Sequence, residues 1–183
     1  MPEQWGFLRN PLTPFRLTTP DGESLYVWHI LPLELYRRNV QALVDEPDGL
    51  CQDVEARFGF RLLKNDPKSL LIIYLHGAAG TLASGWRPQS YRALSSVLTE
   101  VHVPAIDYRG FGHSTGTPIE QGLLTDALTL ATFAMGSVGL PPDRIVIFGQ
   151  SLGTAVALEL AHHLALQPRP VLFAGIVFGC TVR

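Results

Sequence analysis

Hydrophobic positions change their spacing twice along this chain, and the changes divide it into parts. From Arg16 to Leu31 two extended stretches flank a turn at Pro20-Asp21-Gly22, and the β-formers of Leu25-Tyr26-Val27-Trp28-His29-Ile30 predict a hairpin. From Pro32 to Pro67, Leu33, Leu35, Tyr36, Val40, Leu43 and Val44 recur at helical spacing until Pro47-Asp48-Gly49 interrupts them, which predicts an insertion with one or two helices. After Pro67 short apolar runs alternate with amphipathic segments. Leu70 to Leu75, Val101 to Ile106, Arg144 to Phe148 and Val171 to Phe178 read as strands, and Tyr91 to Leu98, Leu123 to Met135 and Leu152 to Leu166 as helices. Strand and helix in alternation predict an α/β protein: an open, mostly parallel, doubly wound sheet covered on both faces, with ligands at the carboxyl ends of its strands. The expected organisation is one domain, with the hairpin and helical insertion in residues 1–68 and the sheet core in residues 69–183.

Composition narrows the class. A chain of 183 residues with 46% hydrophobic and 16% charged residues is globular. Its 14 basic and 16 acidic side chains give no electrostatic case for nucleic acid. Cys51 and Cys180 lack metal-ligand spacing and read as small apolar residues. Glu3, Arg9 and several prolines break up the first twenty residues, so no signal-peptide core is expected. Nor does any window approach the roughly 20 apolar residues that span a bilayer, so the chain is expected to have no transmembrane segment and to be cytoplasmic or peripheral on an internal membrane.

The chemistry gathers at the strand ends. Gly149-Gln150-Ser151-Leu152-Gly153 follows a strand-like run and opens a helix-like one, the context of a nucleophile elbow. A serine in so tight a turn is strained, and side chains two residues before or after it would collide with the neighbouring strand or helix. Its hydroxyl would project to solvent, while the N–H of Leu152 at a helix N-terminus points where an oxyanion would form. Two other strand ends carry His76-Gly77-Ala78-Ala79-Gly80 and Asp107-Tyr108-Arg109-Gly110-Phe111-Gly112-His113-Ser114 on the same rim.

These three motifs, in this order and spacing, resemble those of the serine α/β-hydrolases, within them the monoacylglycerol-lipase and lysophospholipase-like branch. The resemblance extends from Arg16 to about Val177. It implies Ser151 as the catalytic nucleophile, the backbone N–H groups of Ala78 and Leu152 as the oxyanion hole, a small-molecule acyl ester as substrate, and no metal or organic cofactor. It also implies that the Asp107 to Ser114 loop is structural, so that Asp107 and His113 are not the catalytic acid and base.

In that family the acid and then the histidine follow the nucleophile on two later strands. Here Phe178-Gly179-Cys180-Thr181-Val182-Arg183 ends the sequence, as a truncated gene model, a splice product or a fragment would. Glu159 and His162 lie about 12 and 16 Å along the helix from Ser151, beyond hydrogen-bond reach. The expectation is therefore a serine hydrolase of lipid-like carboxylic esters that is weakly active or inactive as this chain alone. Alternatives from other classes are a non-catalytic hydrolase-fold binding module and a truncated gene product without function. Self-association through an exposed last strand is a further expectation. Among the remaining candidates, His76 is expected to hold its own loop and Asp107 to pair with Arg109. Trp28, Trp86, Tyr91 and Phe111 are expected to line an acyl pocket or to pack in the core.

Overall fold

A computed structural model describes residues 2–179. After a 3-10 turn over Pro2–Trp5, strands β1 (Leu12–Thr18) and β2 (Ser24–Ile30) form the expected hairpin, in register from Leu12↔Ile30 to Thr18↔Ser24. Three short helices, α1 (Leu33–Arg38), α2 (Val40–Val44) and α3 (Phe58–Asn65), occupy the insertion where one or two were expected. Asn39 splits the first helical run: its backbone leaves the helical region at φ −128°, ψ 22°, and its side-chain amide donates to the Leu35 carbonyl at 2.8 Å.

The rest alternates as the pattern predicts: β3 (Leu70–Leu75), α4 (Arg87–Val97), β4 (Val101–Asp107), α5 (Glu120–Met135), β5 (Ile145–Gln150), α6 (Leu152–Ala165) and β6 (Gly175–Gly179). The last strand is shorter than expected, because residues 171–174 run outside the sheet and the Ala174 N–H donates to the Pro142 and Ile145 carbonyls.

All six strands form one sheet in the order β1-β2-β4-β3-β5-β6. The hairpin joins it through an antiparallel β2–β4 ladder, and β4, β3, β5 and β6 run parallel. Every residue of β4 is buried, as a strand covered on both faces requires. Pro104 lies within it and has no N–H to donate, and the β3–β4 ladder steps from Leu71↔His102 to Tyr74↔Ala105.

Hydrophobic cores lie on both faces. One gathers Leu130 and Ala131 of α5, Val156 and Leu160 of α6 and Phe60 and Leu63 of α3 over Ile73, Ile106 and Ile147. The other packs Tyr91 of α4 and Phe7 over Trp28, Tyr74 and Val103. Strand order reverses at β3, since the chain next goes to β4 on one side and β5 on the other. The loops after β3 and β5 therefore flank the crevice in which α/β sheets bind ligands.

Candidate active site

Ser151 sits between the last residue of β5 and the first of α6, with φ 52° and ψ −116°. Among the described residues only Asn10 is another non-glycine with positive φ. A β-branched or bulky side chain would resist this backbone; serine tolerates it because the surrounding turn is fully determined. Gly149 is required by close approach, since a β-carbon there would lie 2.5 Å from the Gly153 carbonyl oxygen and 2.8 Å from Thr154 Cα. Helix α6 can begin within one residue of the strand because neither glycine holds it off.

The loop after β3 comes up against this turn. A β-carbon on Gly77 would lie 3.1 Å from Ser151 Cβ. Gly77, Ala78, Trp86, Arg87, Gln150 and Ser151 line a single open cavity of about 510 Å³. Ser151 is exposed to it, and Trp86, 73% exposed, stands at its rim. Among the described residues neither the Ala78 nor the Leu152 N–H meets a hydrogen-bond acceptor. Leu152 is the first residue of a 14-residue helix, where the N–H groups are unsatisfied within the helix and its dipole favours negative charge. The side chain of Leu152 faces a second cavity, of about 480 Å³, with Phe111, Ile119, Leu124 and Val156.

None of the six histidines hydrogen-bonds to Ser151. His76 is fully buried, and its Nδ1 donates to the Gly77 carbonyl at 2.8 Å, so it braces its own loop. His113 stands edge-on to Tyr26, at 5.0 Å between ring centroids. His162 and His163 lie in the last turn of α6, with His163 beside Gln167. His29 and His102 are stacked in the core with Nε2 of one 3.0 Å from Nδ1 of the other. Burial holds the His29 imidazole down at about 4 and His102 well below its ordinary value, so both are neutral at pH 7.

The expected Asp107–Arg109 pair does not form. Asp107 Oδ1 instead accepts the Leu82 N–H at 2.7 Å and lies 3.5 Å from His76 Nε2, which ties the loop after β3 to the end of β4. Arg109 turns the other way and bridges Asp126 at 2.9 Å and Asp21 at 2.7 Å. Its hydrogen bonds hold the Asp21 carboxyl well below the usual carboxylate range. Arg109 lies in the turn beyond the end of β4, and Asp126 on α5 offers it a fully buried carboxylate. Of the aromatic candidates, Trp28 and Tyr91 are core residues, whereas Trp86 and Phe111 line the two cavities.

Cys51 is a buried thiol, and Cys180 lies outside the described residues. Among the described residues no helix is long and apolar enough to cross a membrane. Nothing in Gly85-Trp86-Arg87-Pro88 marks Arg87 as more than a surface helix start, yet it is buried beside Ser151's cavity. Only its position a few residues after a small-residue loop hints at the buried place it takes.

Comparison with known proteins adds a second line of support. Residues 72–182 match the model of a family described as the alpha/beta hydrolase family. The chain is 34% identical over 156 residues to lysophosphatidylserine lipase ABHD12 of Danio rerio, covering 85% of this chain and 36% of that protein. It is 41% identical over 163 residues to protein ABHD12B of Homo sapiens, covering 86% of this chain and 38% of that one. Thus it spans little more than a third of the length of these relatives. Among solved structures, an alpha-beta hydrolase from Vibrio vulnificus superposes with a TM-score of 0.63 at 18% identity, over 91% of this chain and 44% of that one, a likeness of fold.

Proposed function

Since the chain belongs to the alpha/beta hydrolase family, we propose that it carries the nucleophile and oxyanion hole of a serine hydrolase acting on lipid-like carboxylic esters. The observation that carries this reading is the strained Ser151 at φ 52°, held between close-packed glycines and facing the cavity it shares with Ala78. The Ser151 hydroxyl attacks the acyl carbonyl, the Ala78 and Leu152 N–H groups take the developing oxyanion, and the alcohol leaves with a proton. Water then releases the acid from the acyl-enzyme. The name of the Danio rerio relative suggests a lysophospholipid as the ester, and the apolar cavity beside Leu152 suits a hydrocarbon chain.

By itself this chain is a poor catalyst. Among the described residues no histidine is placed to take the Ser151 proton, and loss of the base costs on the order of a millionfold in turnover where triad members act as a unit. The oxyanion hole alone leaves roughly a thousandfold over water. Steady-state hydrolysis of a p-nitrophenyl short-chain ester and of a lysophospholipid by the purified chain is the test. Slow turnover lost in Ser151→Ala is expected, and robust turnover surviving that substitution would refute the assignment.

The same lack of a placed base favours a second reading, a binding module that holds an apolar ligand without cleaving it. Tight binding of a lysophospholipid with no acyl-enzyme formation would select it.

A further inference from the structure

We propose that Arg87 is a positioning residue of the oxyanion hole, acting through the peptide that joins Gly77 to Ala78. This rests on the reading of Ser151 and Ala78 just given.

Arg87 opens α4, is only 7% exposed, and lines the cavity that Ser151 faces. Among the described residues it pairs with no carboxylate. Its guanidinium is committed instead to one short loop: Nη2 donates to the Gly77 carbonyl at 2.8 Å and the Ala79 carbonyl at 2.5 Å, and Nη1 to the Thr81 carbonyl at 2.5 Å. A cation buried without a counter-ion is costly, and its placement against backbone oxygens offsets that cost only if every donor is well aimed.

The consequence follows from peptide planarity. The carbonyl of Gly77 and the N–H of Ala78 belong to one rigid unit and point in opposite directions. Whatever grips the oxygen aims the hydrogen. Arg87 Nη2 and His76 Nδ1 both grip it, each at 2.8 Å. The polarised carbonyl also makes the N–H at the other end of the unit a stronger donor. Ala78, Ala79 and Gly80 are exposed and carry no polar side chain, so beyond His76 the loop's own side chains add no grip on this carbonyl and Arg87 supplies the second. A β-carbon on Gly77 would lie 3.1 Å from Ser151 Cβ and 3.7 Å from Arg87 Nη2, so the peptide in question is held between arginine and nucleophile. Three carbonyls taken by two nitrogens of one guanidinium need its rigid fork, which a lysine ammonium does not reproduce.

The test reads phosphonylation of Ser151 by a fluorophosphonate, in which the Oγ–P bond forms, fluoride leaves, the hydroxyl proton passes to solvent, and the phosphoryl oxygen occupies the oxyanion site. Second-order labelling rates are measured for the 183-residue chain and for Arg87→Ala, Arg87→Lys, Arg92→Ala and Ser151→Ala, each with its melting transition. Arg92, on the same helix, donates to the Gly6 carbonyl away from the cavity, so its loss leaves labelling unchanged. Arg87→Ala is expected to label about 100-fold more slowly, the scale of losing one oxyanion donor, with Arg87→Lys recovering little. Guanidinium at non-denaturing concentration restores labelling of Arg87→Ala, and sodium chloride at equal ionic strength does not.

Wild-type labelling in Arg87→Ala overturns the proposal. So does a fall that tracks loss of folded protein and is not rescued by guanidinium. Equal labelling of wild type and Ser151→Ala instead overturns the nucleophile reading. Amide exchange at residues 78–80 then decides separately whether Arg87 aims the loop: faster exchange in Arg87→Ala supports it, and unchanged exchange overturns it.

Discussion

A β-carbon placed on Gly153 would lie 1.9 Å from the carbonyl oxygen of Leu75. The first turn of α6 thus rests directly on the end of β3, and this contact sets the elbow beside the loop that carries Ala78.

Gly153→Ala forces backbone apart, since neither partner is a side chain that can rotate away. We expect it to cost about 3 kcal/mol, the upper end of the overpacking range, and to abolish whatever activity Ser151 has. Gly175→Ala on β6 is the control: nothing stands within 4 Å of its added carbon, so its effect should stay within about 0.5 kcal/mol. Urea midpoints of the two variants provide the comparison, and similar midpoints would contradict the packing described.

Arg109 is the bracket between the hairpin turn and α5. Its side chain is 5% exposed and that of Asp126 is 0% exposed, so Arg109→Leu strands a buried carboxylate and should cost about 3–5 kcal/mol. Asp21 is 50% exposed, so solvent screens its pairing and Asp21→Ala should cost far less than Arg109→Leu. Thermal melts at neutral pH order the two, with the arginine variant far the weaker.

Stability should fall as acid is added, through the His29–His102 pair. An unfolded chain takes up protons on these histidines near pH 6.5, whereas folded His29 resists until about pH 4 because burial disfavours the imidazolium. Between those values the unfolded state binds more protons, so stability is full above pH 6.5 and declines toward pH 4. His29 contributes on the order of 3 kcal/mol to this decline, and His102 acts in the same direction. Replacing both histidines by Leu should flatten that part of the profile of unfolding midpoint against pH; an unchanged slope would assign the acid sensitivity elsewhere.

β6 pairs with β5 on one side and, among the described residues, with nothing on the other. Val177 and Phe178 on it are 46% and 49% exposed. An unpaired apolar edge invites a second chain. We expect concentration-dependent association of the 183-residue chain in sedimentation velocity, relieved by Val177→Lys; a monodisperse monomer at all concentrations would remove this expectation.

Much of this was legible in the sequence because period and punctuation agreed. The alternation after Pro67 located β3, β4, β5, α5 and α6, and the paired glycines around Ser151 had one structural meaning. What was hidden depended on partners distant in the chain. The run through Leu43 hid the break at Asn39, where a side-chain amide competes with the helix. Gly59 masks the α3 helix in the sequence, yet it leaves room for Leu31 to pack against that helix: a β-carbon there would come 2.9 Å from Leu31 Cδ1. Nearness in sequence points Arg109 to Asp107, while the fold supplies Asp21 and Asp126. Arg87 carried no pattern at all, since its partners are backbone carbonyls of a loop that precedes it.

We propose that the turn at residue 151 presents a hydroxyl to backbone N–H groups able to hold an oxyanion. Peptide mapping by mass spectrometry, after the purified chain is exposed to a fluorophosphonate, decides it. We predict an adduct on Ser151 in preference to every other serine, absent in Ser151→Ala. Adducts spread evenly over the serines, or none on Ser151, would contradict it.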